Sequence, residues 1–162
     1  LAATDGQTHR LGDFRGLGVA LAVGYTQCPD VCPTTLLELA AAQQQWRTLP
    51  DSTRPRLLLV SVDPQRDTPA RLGEYAHAFH AETLAATGEL PALEKFATSL
   101  GFVFAKAEGE NFANNPDDYS VDHSASLAVL DPQGRLAGLI RPPFNASAIA
   151  ADLTELTRKT AP

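Results

Sequence analysis

The chain has only two cysteines, with three residues between them, in Gly24-Tyr25-Thr26-Gln27-Cys28-Pro29-Asp30-Val31-Cys32-Pro33. Pro33 lacks an N–H and fits a helix only in its first turn. That puts Cys32 at or just before a helix start and Cys28 in the loop ahead of it. Backbone N–H groups and the positive end of the helix dipole then face the sulfurs. Thiolates are favoured there, and the thiolate is both the nucleophile and the soft-metal ligand. Pro29 stiffens the loop and lowers the entropy lost when the sulfurs converge. A structural disulfide across so short a loop gains little unfolded-state entropy. C-x-x-C redox pairs have one residue fewer between the sulfurs. The wider bite suits a metal and still permits a disulfide, so both chemistries remain open.

The histidines bear on that choice. His9 reads as a surface residue, and His77 and His80 lie on or just after a helix. His80-Ala81-Glu82 has the H-x-E form of zinc deaminases, but it follows the cysteines, and their spacing does not match. His80 also suits a helix C-terminus, where the dipole favours it. His123 differs. It stands in Tyr119-Ser120-Val121-Asp122-His123-Ser124-Ala125, at the mouth of a strand. In a mixed sheet that strand starts opposite the amino end of the first helix, which aims the imidazole at the sulfurs. Two thiolates and one imidazole favour Cu(I). Cu(II) accepts the same set with an added oxygen. Zinc with an open position is chemically possible, but nothing nearby supplies the general base of a zinc hydrolase. Asp122 is a candidate acceptor for orienting His123, and would equally cap a local turn.

The elements that must position these residues alternate between strand and helix. Asp5-Gly6 signals a tight turn in an N-terminal hairpin. Residues 18–25 and 56–63 are apolar runs suited to buried strands. The spacing predicts helices over 34–49, from Pro69 through Phe79, over 90–100 and over 146–158. Asp67-Thr68-Pro69 and Asn145 supply starts, and Pro50 and Gly101 supply stops. Residues 102–105 read as a short strand and the polar stretch 107–122 as a long loop. Asp131-Pro132-Gln133-Gly134 joins a hairpin of 126–130 and 135–140. The order describes an α/β fold with a mixed central sheet. The cysteines fall at the carboxyl end of its first central strand, where open α/β sheets gather their sites.

Composition is that of a soluble globular chain that makes one domain over residues 1–162. A formal charge of −6 argues against nucleic acid, which needs a surplus of Lys and Arg. No apolar run of about 18 residues exists to span a bilayer. The opening on Leu1-Ala2-Ala3 suggests that a targeting or anchoring segment has been removed. With no methionine in the chain, a Met-rich metal site is excluded.

Three motifs in fixed order then carry a resemblance. They are Cys28-Pro29-Asp30-Val31-Cys32-Pro33, Ser61-Val62-Asp63-Pro64-Gln65-Arg66-Asp67-Thr68-Pro69 and Val121-Asp122-His123-Ser124. Together they closely resemble the Sco/SenC family, from the N-terminal hairpin to the last helix. The resemblance implies a thioredoxin-like fold with extra elements. It implies a copper metallochaperone, with Cys28, Cys32 and His123 as copper ligands. The implied client is the subunit that carries the dinuclear copper centre of cytochrome c oxidase, with other copper chaperones as further partners. The implied location is the periplasm, tethered to the inner membrane, or the mitochondrial intermembrane space. Gln27 stands where many members carry histidine. The competing class is an enzyme, a thiol–disulfide oxidoreductase using the Cys28–Cys32 pair, with Cys28 as the more exposed, attacking thiolate. A peroxidase-like protein of the same fold would need a peroxidatic cysteine with a separate resolving cysteine, which is not evident. A redox or copper sensor would use the same residues.

Overall fold

The structure, a computed structural model, describes residues 2–3, 16–28 and 31–160, without the side chains of 2, 3, 31, 32, 159 and 160. Its elements in chain order are β1 (Ala2–Ala3), β2 (Val19–Gly24), α1 (Val31–Trp46), β3 (Arg56–Ser61), α2 (Pro69–Phe79) and β4 (Leu84–Thr87). There follow α3 (Leu90–Ser99), β5 (Phe104–Glu108), β6 (Tyr119–His123), β7 (Leu127–Leu130), β8 (Leu136–Ile140) and α4 (Ala146–Thr160). Six strands form one sheet in the order β1-β4-β3-β2-β7-β8, and β5 with β6 forms a second, two-stranded sheet. The main sheet is mixed: β2, β3 and β4 run parallel, while β7, β8 and β1 pair antiparallel.

The alternation of side chains along a strand sorts the core into two layers. Val19, Leu21 and Val23 of β2, with Leu58 and Val60 of β3, pack against Leu93 and Ala97 of α3 and against Tyr119 and Val121 of β6. Ala20, Ala22, Leu57 and Leu59 face the other way. They meet Leu36, Leu39 and Trp46 of α1, Leu72 of α2 and Leu153 of α4. All six residues of β2 are buried, as expected for a strand covered on both faces.

Several expected boundaries shift for identifiable reasons. Helix α1 begins at Val31, three residues before the expected start, and ends at Trp46, with Leu49 turning back onto the Trp46 carbonyl. At α2 the capping side chain is that of Thr68, which accepts from Arg71 N. The Asp67 carboxylate is turned inward instead. Leu84–Thr87 was not foreseen as a strand. Its Leu-Ala-Ala run has helical propensity, which parallel pairing with β3 overrides. The expected loop over 107–122 is instead largely a hairpin, because β5 and β6 pair from Phe104↔His123 to Glu108↔Tyr119. The signal was the alternation of Tyr119 and Val121 inward with Ser120 and Asp122 outward, obscured by the polar run before it. The expected hairpin at Asp131–Gly134 is present. Asp131 Oδ1 accepts from the N–H groups of Gln133 and Arg135, and Gly134 takes φ +80°. Asn145 caps α4 through its side chain, as expected. The expected N-terminal hairpin lies outside the described residues.

The start of β2 is anchored to α4. Gly18 N–H donates to Thr157 Oγ1 at 2.9 Å, and that hydroxyl donates in turn to the Leu153 carbonyl. A Cβ on Gly18 would lie 2.6 Å from Thr157 Oγ1. Gly18→Ala is therefore expected to cost about 1–3 kcal/mol through overpacking. Urea unfolding checks this, and the double variant with Thr157→Ala is expected to lose less than the sum of the two single variants.

Candidate metal centre

The sequence places Cys28 directly after the buried strand β2, and the backbone closes a turn there. Cys28 N–H donates to the Tyr25 carbonyl at 3.2 Å. Its thiol is not in a disulfide and is buried, at 9% exposure. Because α1 starts at Val31, Cys32 is its second residue and Pro33 its third. Both fall in the first turn, where backbone N–H groups have no intrahelical acceptor. Pro33 is tolerated there for the same reason. The Cys32 side chain lies outside those described. Among the described residues no set of three His, Cys, Asp or Glu side chains that could hold a metal ion is found.

His123 ends β6 and is brought to the cysteine loop by Tyr25. The two rings meet edge to face, 5.9 Å apart at 88°. The Tyr25 hydroxyl accepts from Val121 N–H at 3.1 Å. One side chain of the cysteine loop thus braces the histidine's strand at two points. A narrow crevice is lined by His123, by Ala22 and Val23 at the end of β2, and by Thr35 and Leu36 of α1. The imidazole therefore sits where β2 ends and α1 begins. Its Nδ1 lies 3.0 Å from the Ser124 carbonyl oxygen. A carbonyl only accepts, so Nδ1 carries a proton, and Nε2 is the ring nitrogen a soft metal would use. Asp122 does not take the orienting role considered for it. Strand alternation places it on the opposite face of β6 from His123, exposed, and the Nδ1 partner is the Ser124 carbonyl.

The other histidines are elsewhere. His80 is the C-cap of α2 and accepts from Glu82 N–H at 3.1 Å, while Glu82 pairs with Arg54. His77 is exposed on α2, and His9 lies outside the described residues.

Two buried carboxylates flank the cysteine loop, and reasoning from chemistry at the sequence level missed both. Asp63 is 3% exposed and takes Arg66 Nε at 2.6 Å and the Tyr119 hydroxyl at 2.6 Å. Arg66 also donates to the Asp117 carbonyl, and its guanidinium lies 3.7 Å from the centre of the Tyr119 ring. Lys106 stands 4.3 Å from that ring, which makes a cation–aromatic cluster around one phenol. Asp67 is 1% exposed and accepts from Thr26 N–H at 3.0 Å, from the Thr26 hydroxyl and from the Ser61 hydroxyl at 2.6 Å. The available signal was two acids shortly after the mostly apolar strand β3, which burial makes dependent on donors. Beside this network a groove of about 390 Å³ is lined by Tyr25, Gln27, Arg66, Gly109, Asp118 and Ser120.

Comparison with known proteins gives a consistent result. The family model for SCO1/SenC matches residues 1–158. A protein of Stutzerimonas stutzeri named for copper binding is 36% identical over 145 residues, covering 88% of this chain and 67% of its own length. The mitochondrial SCO2 homologue of Bos taurus is 33% identical over 129 residues, covering 80% of this chain. The chain spans about half of that relative, 47% of its length. Among solved structures, Arabidopsis thaliana ScoI with copper bound aligns with a TM-score of 0.85 at 27% identity, covering 98% of this chain and 95% of that one. The fold these share is the thioredoxin-like fold expected from the motifs.

The Tyr119 phenol yields a pH test of the network. Burial, followed by the hydrogen bond to Asp63 and that carboxylate's charge, pushes it well above the ordinary value of 10.0. With the folded value raised, this contribution to stability is complete below pH 10. It fades as pH rises further, because only the unfolded chain then loses the proton. Tyr119→Phe is expected to cost about 1.5–3 kcal/mol at neutral pH, the range for a hydrogen bond to a charged group. Above pH 10 the unmodified chain should lose that advantage at about 1.4 kcal/mol per pH unit. Denaturant melts of both proteins from pH 8 to 11 check the sign.

Proposed function

Because the chain belongs to the SCO1/SenC family, we propose that it is a copper metallochaperone whose cargo is held by Cys28, Cys32 and His123. The observation that carries this reading is the edge-to-face contact of Tyr25 with His123, which joins the cysteine loop to the imidazole. The donor set suits the metal. Two thiolates and a neutral imidazole are soft to borderline ligands, and copper in either oxidation state accepts them. The Ser124 carbonyl holds the proton of a neutral imidazole on Nδ1, so Nε2 is the nitrogen that His123 would offer. Cys32 is the second residue of α1, a position in the first helical turn that would suit a thiolate.

Reduction of both cysteines permits loading. Their oxidation to a disulfide, with two electrons passing from the thiolates to a partner disulfide that is reduced to two thiolates, withdraws both sulfurs and releases the metal. Transfer proceeds by exchange with a partner's thiolates. The client is the copper-centre subunit of cytochrome c oxidase, other copper chaperones are donors, and the chain works as a single domain over residues 1–162. The location is the periplasm, tethered to the inner membrane, or the intermembrane space in a eukaryote. No helix among the described residues is long and apolar enough to cross a membrane.

The rival reading, a thiol–disulfide oxidoreductase, expects Cys28, as the more exposed of the pair, to be the attacking thiolate. Cys28 itself is buried, at 9% exposure, which supports a held ligand over an attacking group.

Copper titration of the reduced protein tests the assignment. His123→Ala is expected to weaken Cu(II) binding by more than the ~10–100-fold that follows loss of an outer hydrogen-bond partner, and to change the charge-transfer spectrum. Retention of affinity and spectrum by the variant would remove His123 from the ligand set. Rapid copper-free disulfide exchange with an oxidised partner, unaffected by His123→Ala, would favour the oxidoreductase.

A further inference from the structure

Thr26 precedes Cys28 by two residues and belongs to the same turn. That turn has no regular ladder to hold it, since β2 ends at Gly24. Besides the contacts of Tyr25 with β6, a carboxylate from another segment ties it to the body of the protein. Asp67 Oδ2 accepts from Thr26 N–H at 3.0 Å and from Ser61 Oγ at 2.6 Å, and Oδ1 accepts from Thr26 Oγ. Asp67 is itself fixed, because its N–H donates to the Asp63 carbonyl at 2.9 Å and it leads into the Thr68 cap of α2. At 1% exposure, these bonds are made out of water, where losing them is costly.

From this geometry we infer that Asp67 is the positioning residue of the Cys28 thiol. By clamping Thr26 at both its backbone and its hydroxyl, it keeps Cys28 in the buried, ligating arrangement. The role in copper holding rests on the proposed chaperone reading. The role in placing the thiol does not.

The chemistry of the clamp separates two variants. Asp67→Ala removes every acceptor and strands the Thr26 N–H and Ser61 hydroxyl. Asp67→Asn can keep all three contacts. Its amide oxygen takes the N–H and the Ser61 proton, and its NH₂ donates to a reversed Thr26 hydroxyl. Thr26→Val removes the hydroxyl contact alone.

The first readout needs no metal: the rate at which iodoacetamide alkylates Cys28 in a Cys32→Ser background. A thiol this buried reacts only when its turn opens. Asp67→Ala is expected to raise the rate by about tenfold or more, the equivalent of losing one charge-assisted hydrogen bond. Asp67→Asn should stay within about threefold of the parent, and Thr26→Val should fall between them. Gly18→Ala weakens the fold from the far end of β2. It serves as the control for global destabilisation, and its rate should stay within about twofold. The second readout is Cu(II) titration with both cysteines present. There Asp67→Ala should shift the thiolate charge-transfer band and lose about tenfold in affinity, while Asp67→Asn keeps both.

An unchanged alkylation rate in folded Asp67→Ala overturns the inference. So does equal acceleration in the Ala and Asn variants, or an acceleration matched by Gly18→Ala. Should Asp67→Ala not fold, Thr26→Val decides in its place: no acceleration there overturns the clamp. If the parent protein binds no copper while the alkylation series behaves as expected, the chaperone reading fails and the placement of Cys28 by Asp67 stands.

Discussion

Two carboxylates buried side by side impose the strongest constraint on this molecule. Asp63 and Asp67 are 3% and 1% exposed, on the short connection between β3 and α2. An ion removed from water costs several kcal/mol unless it is paired and fully hydrogen-bonded. Asp63 is paired with nearby Arg66, and each carboxylate also accepts hydrogen bonds from a distant part of the chain. Thr26 lies 41 residues before Asp67, and Tyr119 lies 56 residues after Asp63. The segment that satisfies the first carboxylate carries Cys28, and the strand that satisfies the second ends in His123. A single connection therefore holds both halves of the site, and its own electrostatics require it to do so.

The sheet explains why these segments are near enough to be joined. Parallel pairing of β2 with β3 brings their carboxyl ends level, Gly24 beside Ser61. The cysteine loop and the acidic connection consequently leave the sheet together. Antiparallel pairing of β7 with β2 turns the opposite end of β7 toward the same edge, with Leu21 beside Ala128. The chain entering β7 must pass the cysteine loop, and His123 is on that entry. Tyr25 completes the join by taking the Val121 N–H and packing against the imidazole.

Much of this was legible in the residues. The buried strands, the helix starts at Thr68 and Asn145 and the turn at Gly134 follow from local chemistry that tertiary structure had no reason to override. Pro33 located the helix start to within a few residues for the same reason. The failures are also physical. Leu84–Thr87 became a strand because an open edge of β3 needed a partner, which no local preference announces. The β5–β6 hairpin was hidden because its inward residues are aromatic and β-branched but its surroundings are polar. The role of Asp67 was misread because an acid beside a helix start is usually a cap. Only the fold reveals that the neighbouring threonine does the capping, which leaves the carboxylate available elsewhere. Likewise the order Asp122-His123 suggested a carboxylate partner, and strand alternation separates the two.

The choice of partner for His123 has an electrostatic consequence. A carboxylate on Nδ1 would raise the basicity of the imidazole and add a negative charge beside the site. The Ser124 carbonyl fixes the tautomer through the same nitrogen and adds no net charge. Two thiolates with Cu(I) already total one negative charge, in a setting where Cys28 is buried. A further negative charge there would strengthen the hold on a cation, as would a more basic imidazole, and both would oppose release. A neutral acceptor avoids both, which would suit the proposed uptake and transfer of a metal ion. The acidic groups that the structure does bury, Asp63 and Asp67, are consumed by Arg66, Tyr119, Thr26 and Ser61. Their charge is spent on holding the protein's own segments in place, and they are not left free beside the proposed ligands.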